Sequence, residues 1–281
     1  MPSVYTGAGY GGPVTPERAQ QLRHFVDSSP FSKQVPTGQV IHLFEGGSAL
    51  YGTRVEGKTD TDVCGVFLEP LVNIFGLDSF EHFVTSTSDE TRRNTAEDVD
   101  ICLYSLRRWA FLATKGNPTA LSYIFADNAA LLSLQWLWGY SVLGPMKEAI
   151  LAKSAAKHFK GFIEAQMGRL LGTKGMGKHG QRPELINNFG YDTKAASHAV
   201  RLATECIELM TFGYIKYPRP DADLLVMIKT GGWSLDRVCS HVSRLLEHLD
   251  DAVAGSKLPA KPDRAAVSRC LVEAYCAFYD F

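Results

Sequence analysis

Two periods of apolar residues run along this chain of 281 residues, and the change from one to the other falls near Ser105. Before it, "QVIHLFEGG" (39–47), "TDVCGVFLEP" (61–70), "HFVTSTS" (82–88) and "DICLYSL" (100–106) are short apolar runs bounded by Gly, Pro or polar clusters. Such runs predict strands. A helix is expected ahead of them, because Thr15-Pro16-Glu17 supplies a capping hydroxyl and a proline at the first helical position; it should run to about Asp27. "DETRRNTAEDV" (89–99) is charged and aperiodic and predicts a loop. After Ser105 the pattern turns helical. "SLRRWAFLATKG" sets Leu106, Trp109, Ala110 and Ala113 on one face and stops at Lys115-Gly116. Asn117-Pro118 then opens a second helix to about Phe125. "ALLSLQWLWGY" and the stretch 145–172 read as further helices, followed by a Gly-rich basic loop, "TKGMGKHGQRP" (173–183). Helices are predicted again over about 193–213, 222–229, 234–254 and 263–279. The fold class is α+β: a small mixed β-sheet domain with flanking helices over 1–135, then an all-helical domain over 136–281.

Composition narrows the function classes. The 45% apolar content supports a sizeable core, and 29 basic against 30 acidic residues leave no whole-surface basic field for unspecific nucleic-acid binding. A local basic patch remains open. Six scattered cysteines without a CxxC pair read as free thiols in a reducing cytosol. "MPSVYTGAGYGG" has no basic segment ahead of an apolar one, so no secretory signal is expected, and no run of 18 apolar residues predicts a membrane span. The expected location is the cytoplasm.

One short stretch carries chemistry. In "GGSALYGTRVEGKTDTDVCGVFLEP" (46–70), a Gly-Gly-Ser turn closes one strand, and Asp60 and Asp62 open the next. Residues two apart on a strand share a face, so these carboxylates sit side by side and repel, the more so if buried. A divalent cation removes that conflict, and Mg²⁺ suits hard oxygen ligands. Asp100, opening a later strand, is the candidate third ligand. Three carboxylates on adjacent strands can hold two ions about 3.5–4 Å apart, an arrangement for in-line phosphoryl displacement. Taken alone, Asp60 could merely end a loop and Asp62 cap a turn. The Gly47-Ser48 turn weighs against that, since such a turn offers backbone N–H groups and a hydroxyl to phosphate.

These residues, with "GSALYGT", "TDTDVCGVFL", "DICLYSLRRW", "KGNPTAL", "GQRPEL", "GYDTKAASHAVRL" and "MTFGYI" in that order, resemble the DNA polymerase β nucleotidyltransferase superfamily, in particular its bacterial and phage group linked to RNA repair. The resemblance covers roughly residues 40–240. It implies that Asp60 and Asp62 are paired metal ligands, that Asp100 is the third carboxylate, and that Gly47 and Ser48 hold the triphosphate. It also implies a nucleotidyltransferase domain followed by a helical one, with two Mg²⁺ ions, or Mn²⁺, as cofactor. One departure stands out. The group commonly has a basic or bulky polar residue after Gly-Ser, and here it is Ala49. Triphosphate charge must be met elsewhere, with Arg54, Lys58 or the 173–183 loop as candidates.

Other signals are weaker. Lys115 and Asn117 are read as nucleotide contacts, although both also suit helix ends. Between 153 and 201, nine basic residues face three acidic ones. That cluster, with Lys174, Lys178 and Arg182 in its Gly-rich loop, is the candidate acceptor surface; a solvated face is the plainer reading. Lys194, His198 and Arg201 fall on one helical face and are expected to line the nucleotide site. The expected activity is Mg²⁺-dependent transfer of a nucleoside monophosphate from an NTP to an acceptor hydroxyl, foremost an RNA (tRNA-like) 3′ end, with release of pyrophosphate. A small-molecule or protein acceptor would use the same core, and a non-catalytic nucleotide-sensing or scaffold role would keep only the fold. No membrane partner is expected, and oligomeric state is not legible.

Overall fold

A computed structural model describes residues 15–36, 39–55, 60–88, 95–126, 143–173 and 182–280. Four strands form one mixed sheet: β1 (Val40–Glu45), β2 (Thr61–Phe67), β3 (His82–Ser86) and β4 (Val99–Ser105), in spatial order β1-β2-β4-β3. The central pair β2/β4 is parallel and both outer pairings are antiparallel. This is the α+β architecture expected from the sequence. Helix α1 (Pro16–Ser28) begins where the Thr15 side chain accepts the Arg18 N–H at 3.2 Å. It lays Leu22 and Val26 on one face of the sheet, where Phe31, Leu43, Val63, Phe67, Ile101 and Leu103 complete a buried cluster.

The opposite face, carrying Phe44 and Val66, belongs to a larger core. That core continues through α4 (Leu106–Thr114) and α5 (Pro118–Phe125) into the helices that follow. All four residues expected on one face of α4 are buried, and Trp109 donates its indole N–H to the Ala120 carbonyl at 3.0 Å. Asn117 caps α5 by accepting the Ala120 N–H at 3.1 Å. Two short elements fill the sheet half: α2 (Gly47–Tyr51) follows β1, and α3 (Leu71–Phe75) follows Pro70. The expected boundary near 135 lies outside the described residues, as do the whole "ALLSLQWLWGY" segment and residues 89–94 of the charged loop.

One expectation is corrected. The single helix predicted over 145–172 is broken: residues 143–150 are helical, 151–154 are not, and helix restarts as Ala155–Leu170. The backbone N–H groups of Lys153 and Ser154 instead donate to the carbonyls of Pro259 and Ala260, at 2.8 and 3.2 Å. Tertiary pairing outbids helix propensity there. Where the predicted loop ends, Pro183–Phe189 forms a short helix that the sequence reading did not assign, opened by proline and closed at Gly190 in the left-handed conformation; residues 174–181 of the loop lie outside the described residues. The later helices Thr193–Phe212, Ala222–Lys229, Leu235–Gly255 and Arg264–Tyr279 lie where periodicity placed them. Among the described residues no helix is long and apolar enough to cross a membrane.

Candidate active site

Strand register decides whether the acidic residues meet. Asp62 on β2 is paired directly with Asp100 on β4, so the two side chains leave the sheet on the same face, toward the helical half. The next residues on that face, Cys64 and Cys102, are paired likewise. Asp60 immediately precedes β2. Burial, then the charges of Asp60 and Asp100, then that of Glu45, push the Asp62 carboxyl up to about 6, while Lys194 pulls it down. The three predicted carboxylates therefore share one electrostatic neighbourhood. Among the described residues no three His, Cys, Asp or Glu side chains form a preformed metal cage. The convergence is one of register and charge.

The glycine turn abuts this cluster. Gly46 donates its backbone N–H to the Asp62 carbonyl at 2.8 Å, which pins the start of α2 to β2. Gly47 has φ +55°, and a Cβ there would come within 1.7 Å of Asp62 Oδ2. No other residue type fits. Ser48 follows with its Oγ buried and without a protein partner. Buried hydroxyls are nearly always bonded, so an orphaned one beside a carboxylate cluster reads as a group reserved for a ligand.

The basic candidates divide. Arg54 is ion-paired to Glu45, which also takes Arg18 Nε at 3.1 Å. Arg201 is bonded through Nη1 to both Glu205 oxygens at 2.8 and 2.9 Å, with its guanidinium 3.9 Å from the Tyr51 ring centroid. It braces α2 from beneath. Arg182 is held by Asp192 at 2.9 and 3.1 Å, and Asp192 is fully buried as the cap of the Thr193–Phe212 helix. Lys194 is exposed and acts on Asp62. Burial, together with Arg201, Lys194, Arg182 and Lys229, holds the His198 imidazole well below the ordinary histidine range, so it is neutral at neutral pH. Lys115 lies over the Phe111 ring at 5.5 Å and Asn117 serves as a helix cap. Lys58, Lys174 and Lys178 lie outside the described residues.

The structure adds residues that pattern reading missed. Glu45 ends an apolar strand just before Gly-Gly, a placement costly enough to have been a signal. Lys229 gave none: as the last residue of its helix it looks like an ordinary dipole partner. Yet its charge interacts with Asp60, Asp62 and Lys194.

A carboxylate cluster on adjacent strands beside a glycine turn is the arrangement expected of a polymerase β-type nucleotidyltransferase, and the family comparison gives that class. The model of the RNA repair pathway DNA polymerase beta family matches residues 15–272, and the chain belongs to that family. It is also 35% identical, over 78 residues, to an uncharacterized 38.9 kDa protein in the nrdC-mobD intergenic region of Enterobacteria phage T4. That match takes in 28% of this chain and 23% of the phage protein, under a quarter of the relative's length. Among solved structures, the crystal structure of a nucleotidyltransferase-like protein from Exiguobacterium sibiricum 255-15 aligns with 90% of this chain and 78% of its own. Its identity is 11% and its TM-score 0.31, too slight a likeness to argue from.

Proposed function

We propose that the chain is a Mg²⁺-dependent nucleotidyltransferase that moves a nucleoside monophosphate from an NTP to an acceptor hydroxyl, the 3′ end of a tRNA-like RNA. The observation that carries this reading is the Asp62–Asp100 register pair, with the Asp60 charge beside it and the unpartnered Ser48 hydroxyl next to it. The donor set fits the ion: three carboxylates supply hard oxygens, and their mutual repulsion is what a divalent cation offsets. Asp60, Asp62 and Asp100 would hold it. When bound, Mg²⁺ neutralises phosphate charge and polarises the α-phosphorus.

The chain's own residues do the rest. The Ser48 hydroxyl donates to a phosphate oxygen of the NTP. Lys194, exposed beside Asp62, adds positive charge at the same place. Asp100 accepts the proton of the acceptor hydroxyl as the acceptor oxygen bonds to the α-phosphorus. The bond from that phosphorus to the β-phosphate oxygen breaks, and pyrophosphate leaves with its electron pair. RNA as acceptor draws on the family's repair association and on the basic residues between 153 and 201, including Lys153, Lys157 and Lys160. These three, with Glu164 and Asp250, line a groove of about 580 Å³ beside the Leu235–Gly255 helix, where Lys160 is ion-paired to Asp250. A small-molecule or protein hydroxyl is the second reading, favoured by the net charge of −1 and by the engagement of Arg182 with Asp192.

The test is incubation of the protein with each α-³²P-NTP and Mg²⁺ in the presence of total RNA, of a metabolite extract, or of protein. Label on RNA 3′ ends, lost in Asp62→Asn and Asp100→Asn, is the expected result. Label on a small molecule or protein moves the acceptor. Absence of transfer to any acceptor, or full activity in either variant, sinks the enzyme.

A further inference from the structure

We infer that Lys229, from the far helical half, is a triphosphate-binding residue, clasping the phosphates against the Ser48 turn together with Lys194. This rests on the nucleotidyltransferase reading above and answers the question raised by Ala49: where the cation comes from that the turn itself lacks.

The described guanidinium groups around the turn are engaged. Arg18 and Arg54 share Glu45, Arg201 is paired with Glu205, and Arg182 with Asp192. The ammonium groups are placed differently. Lys229 Nζ donates to the Thr53 carbonyl at 3.3 Å, and Thr53 in turn donates its backbone N–H to the Ser48 carbonyl at 2.8 Å. Lys229 is therefore anchored on the loop that carries Ser48, two hydrogen bonds away along the backbone. An ammonium has three N–H donors, and one long bond to a neutral carbonyl uses one of them.

Lys229 is also held beside a like charge. Thr193 donates its hydroxyl to the Lys229 carbonyl at 2.9 Å, which fixes the end of the Ala222–Lys229 helix against the start of the Thr193–Phe212 helix. Lys194, next in sequence, is thereby brought close enough for the two ammonium groups to repel. Burial first, and Lys194 second, push the Lys229 ammonium below the ordinary lysine range, while Asp60 and Asp62 pull it part of the way back. The carboxylates of Asp60 and Asp62 offset the repulsion between these two cations only in part, and an anion bound between the ammonium groups would offset the rest. The second polar feature at this place is the buried, unpartnered Ser48 Oγ. Together these groups make a seat for an anion with several charges, and a triphosphate tail is the anion this reaction brings.

A merely structural Lys229, tying Thr53 to its helix, would behave differently under one measurement. Binding of ATP, GTP, CTP and UTP, and of the four matching NMPs, is compared by calorimetry with Mg²⁺ for wild type, Lys229→Gln and Lys229→Arg. Melting curves verify that the variants fold. Lys229→Gln should weaken the preferred NTP roughly 10- to 100-fold, as expected for loss of charge-assisted hydrogen bonds, and leave its NMP unchanged. Lys229→Arg should recover part of the loss, and in turnover the defect should fall on KM more than kcat. Equal weakening of NTP and NMP, or no change in NTP binding by Lys229→Gln, overturns the assignment while leaving the nucleotidyltransferase reading intact. A wild type that binds no nucleotide removes both.

Discussion

Replacing Asp62 by asparagine separates what this carboxylate costs the fold from what it does for catalysis. Its folded pKa is raised from 3.8 to about 6, so the folded state prefers the proton more than the unfolded state does. The sign follows from linkage: the native state binds the extra proton, and stability falls as pH rises through the interval between those two values. Below about pH 3 the carboxyl is neutral in both states and costs nothing. Above about pH 7 the full penalty is present. A difference of that size corresponds to about 3 kcal/mol, reduced to about 1–2 kcal/mol because solvent still reaches this half-buried group. Asparagine keeps the shape and drops the charge. Asp62→Asn should therefore be about 1–2 kcal/mol more stable than wild type at pH 8 and nearly equal to it at about pH 3.5. Urea unfolding followed by circular dichroism at both pH values measures this. Mg²⁺ should raise the wild-type melting temperature at pH 8 and have a much smaller effect on the variant. A variant less stable than wild type at pH 8, or a stability difference independent of pH, refutes the claim that Asp62 is held ionised at a cost.

Three further outcomes follow from single contacts. Ser48→Ala removes a buried hydroxyl with no partner, so thermal unfolding should show no loss, or a gain of about 1 kcal/mol, while NTP affinity falls; a destabilised variant would mean the hydroxyl is satisfied within the fold. Arg201→Ala strands Glu205, whose side chain is 1% exposed, and should cost about 3–5 kcal/mol in chemical denaturation. If it lowers nucleotide affinity without loss of stability, Arg201 is a direct ligand and not a brace. Arg182→Ala leaves the fully buried Asp192 carboxylate without its cation and should destabilise by about 3 kcal/mol; an unchanged melting curve with weakened RNA binding would return Arg182 to the acceptor surface.

The sheet was legible because its strands are short, apolar and punctuated by Gly, Pro or polar clusters, and α4 because its apolar stripe stops at Lys115-Gly116. The carboxylates were legible for a different reason. Asp60 and Asp62 are close in sequence, and a charge opening a buried strand is expensive enough to demand an explanation. What stayed hidden is tertiary in origin. The break at 151–154 exists because Pro259 and Ala260 lend their carbonyls, and nothing in "LAKSAA" signals partners more than a hundred residues away. Lys229 lies more than 160 residues from Asp60, and its helix end looks like any other. Arg201 was placed on the correct helix face, yet periodicity could not reveal that Glu205, one turn further on, claims its charge.

The same contacts bear on how the two halves divide the work. A helix of five residues cannot hold its own geometry in water, and α2 is that short. Its rigidity is supplied from the helical half. Arg219 donates its backbone N–H to the Tyr51 carbonyl at 3.1 Å, and the Tyr51 ring packs between Arg201 and Tyr217, whose hydroxyl donates to Glu205 at 3.2 Å. Gly52, at φ +71°, lies so close to Pro218 that a Cβ would come within 2.9 Å of it. The Gly47-Ser48 turn is thus clamped by residues 201–219 from one side and by β2 from the other. A helical half that served only as an acceptor platform would leave the turn to the sheet. Under the proposed function, these contacts give it a second role, bracing the turn that would seat the phosphates. The sheet half expressed alone should lose nucleotide binding as well as acceptor binding, and titration of residues 1–135 with the preferred NTP would show it. Binding there at wild-type strength would mean the clamp is dispensable.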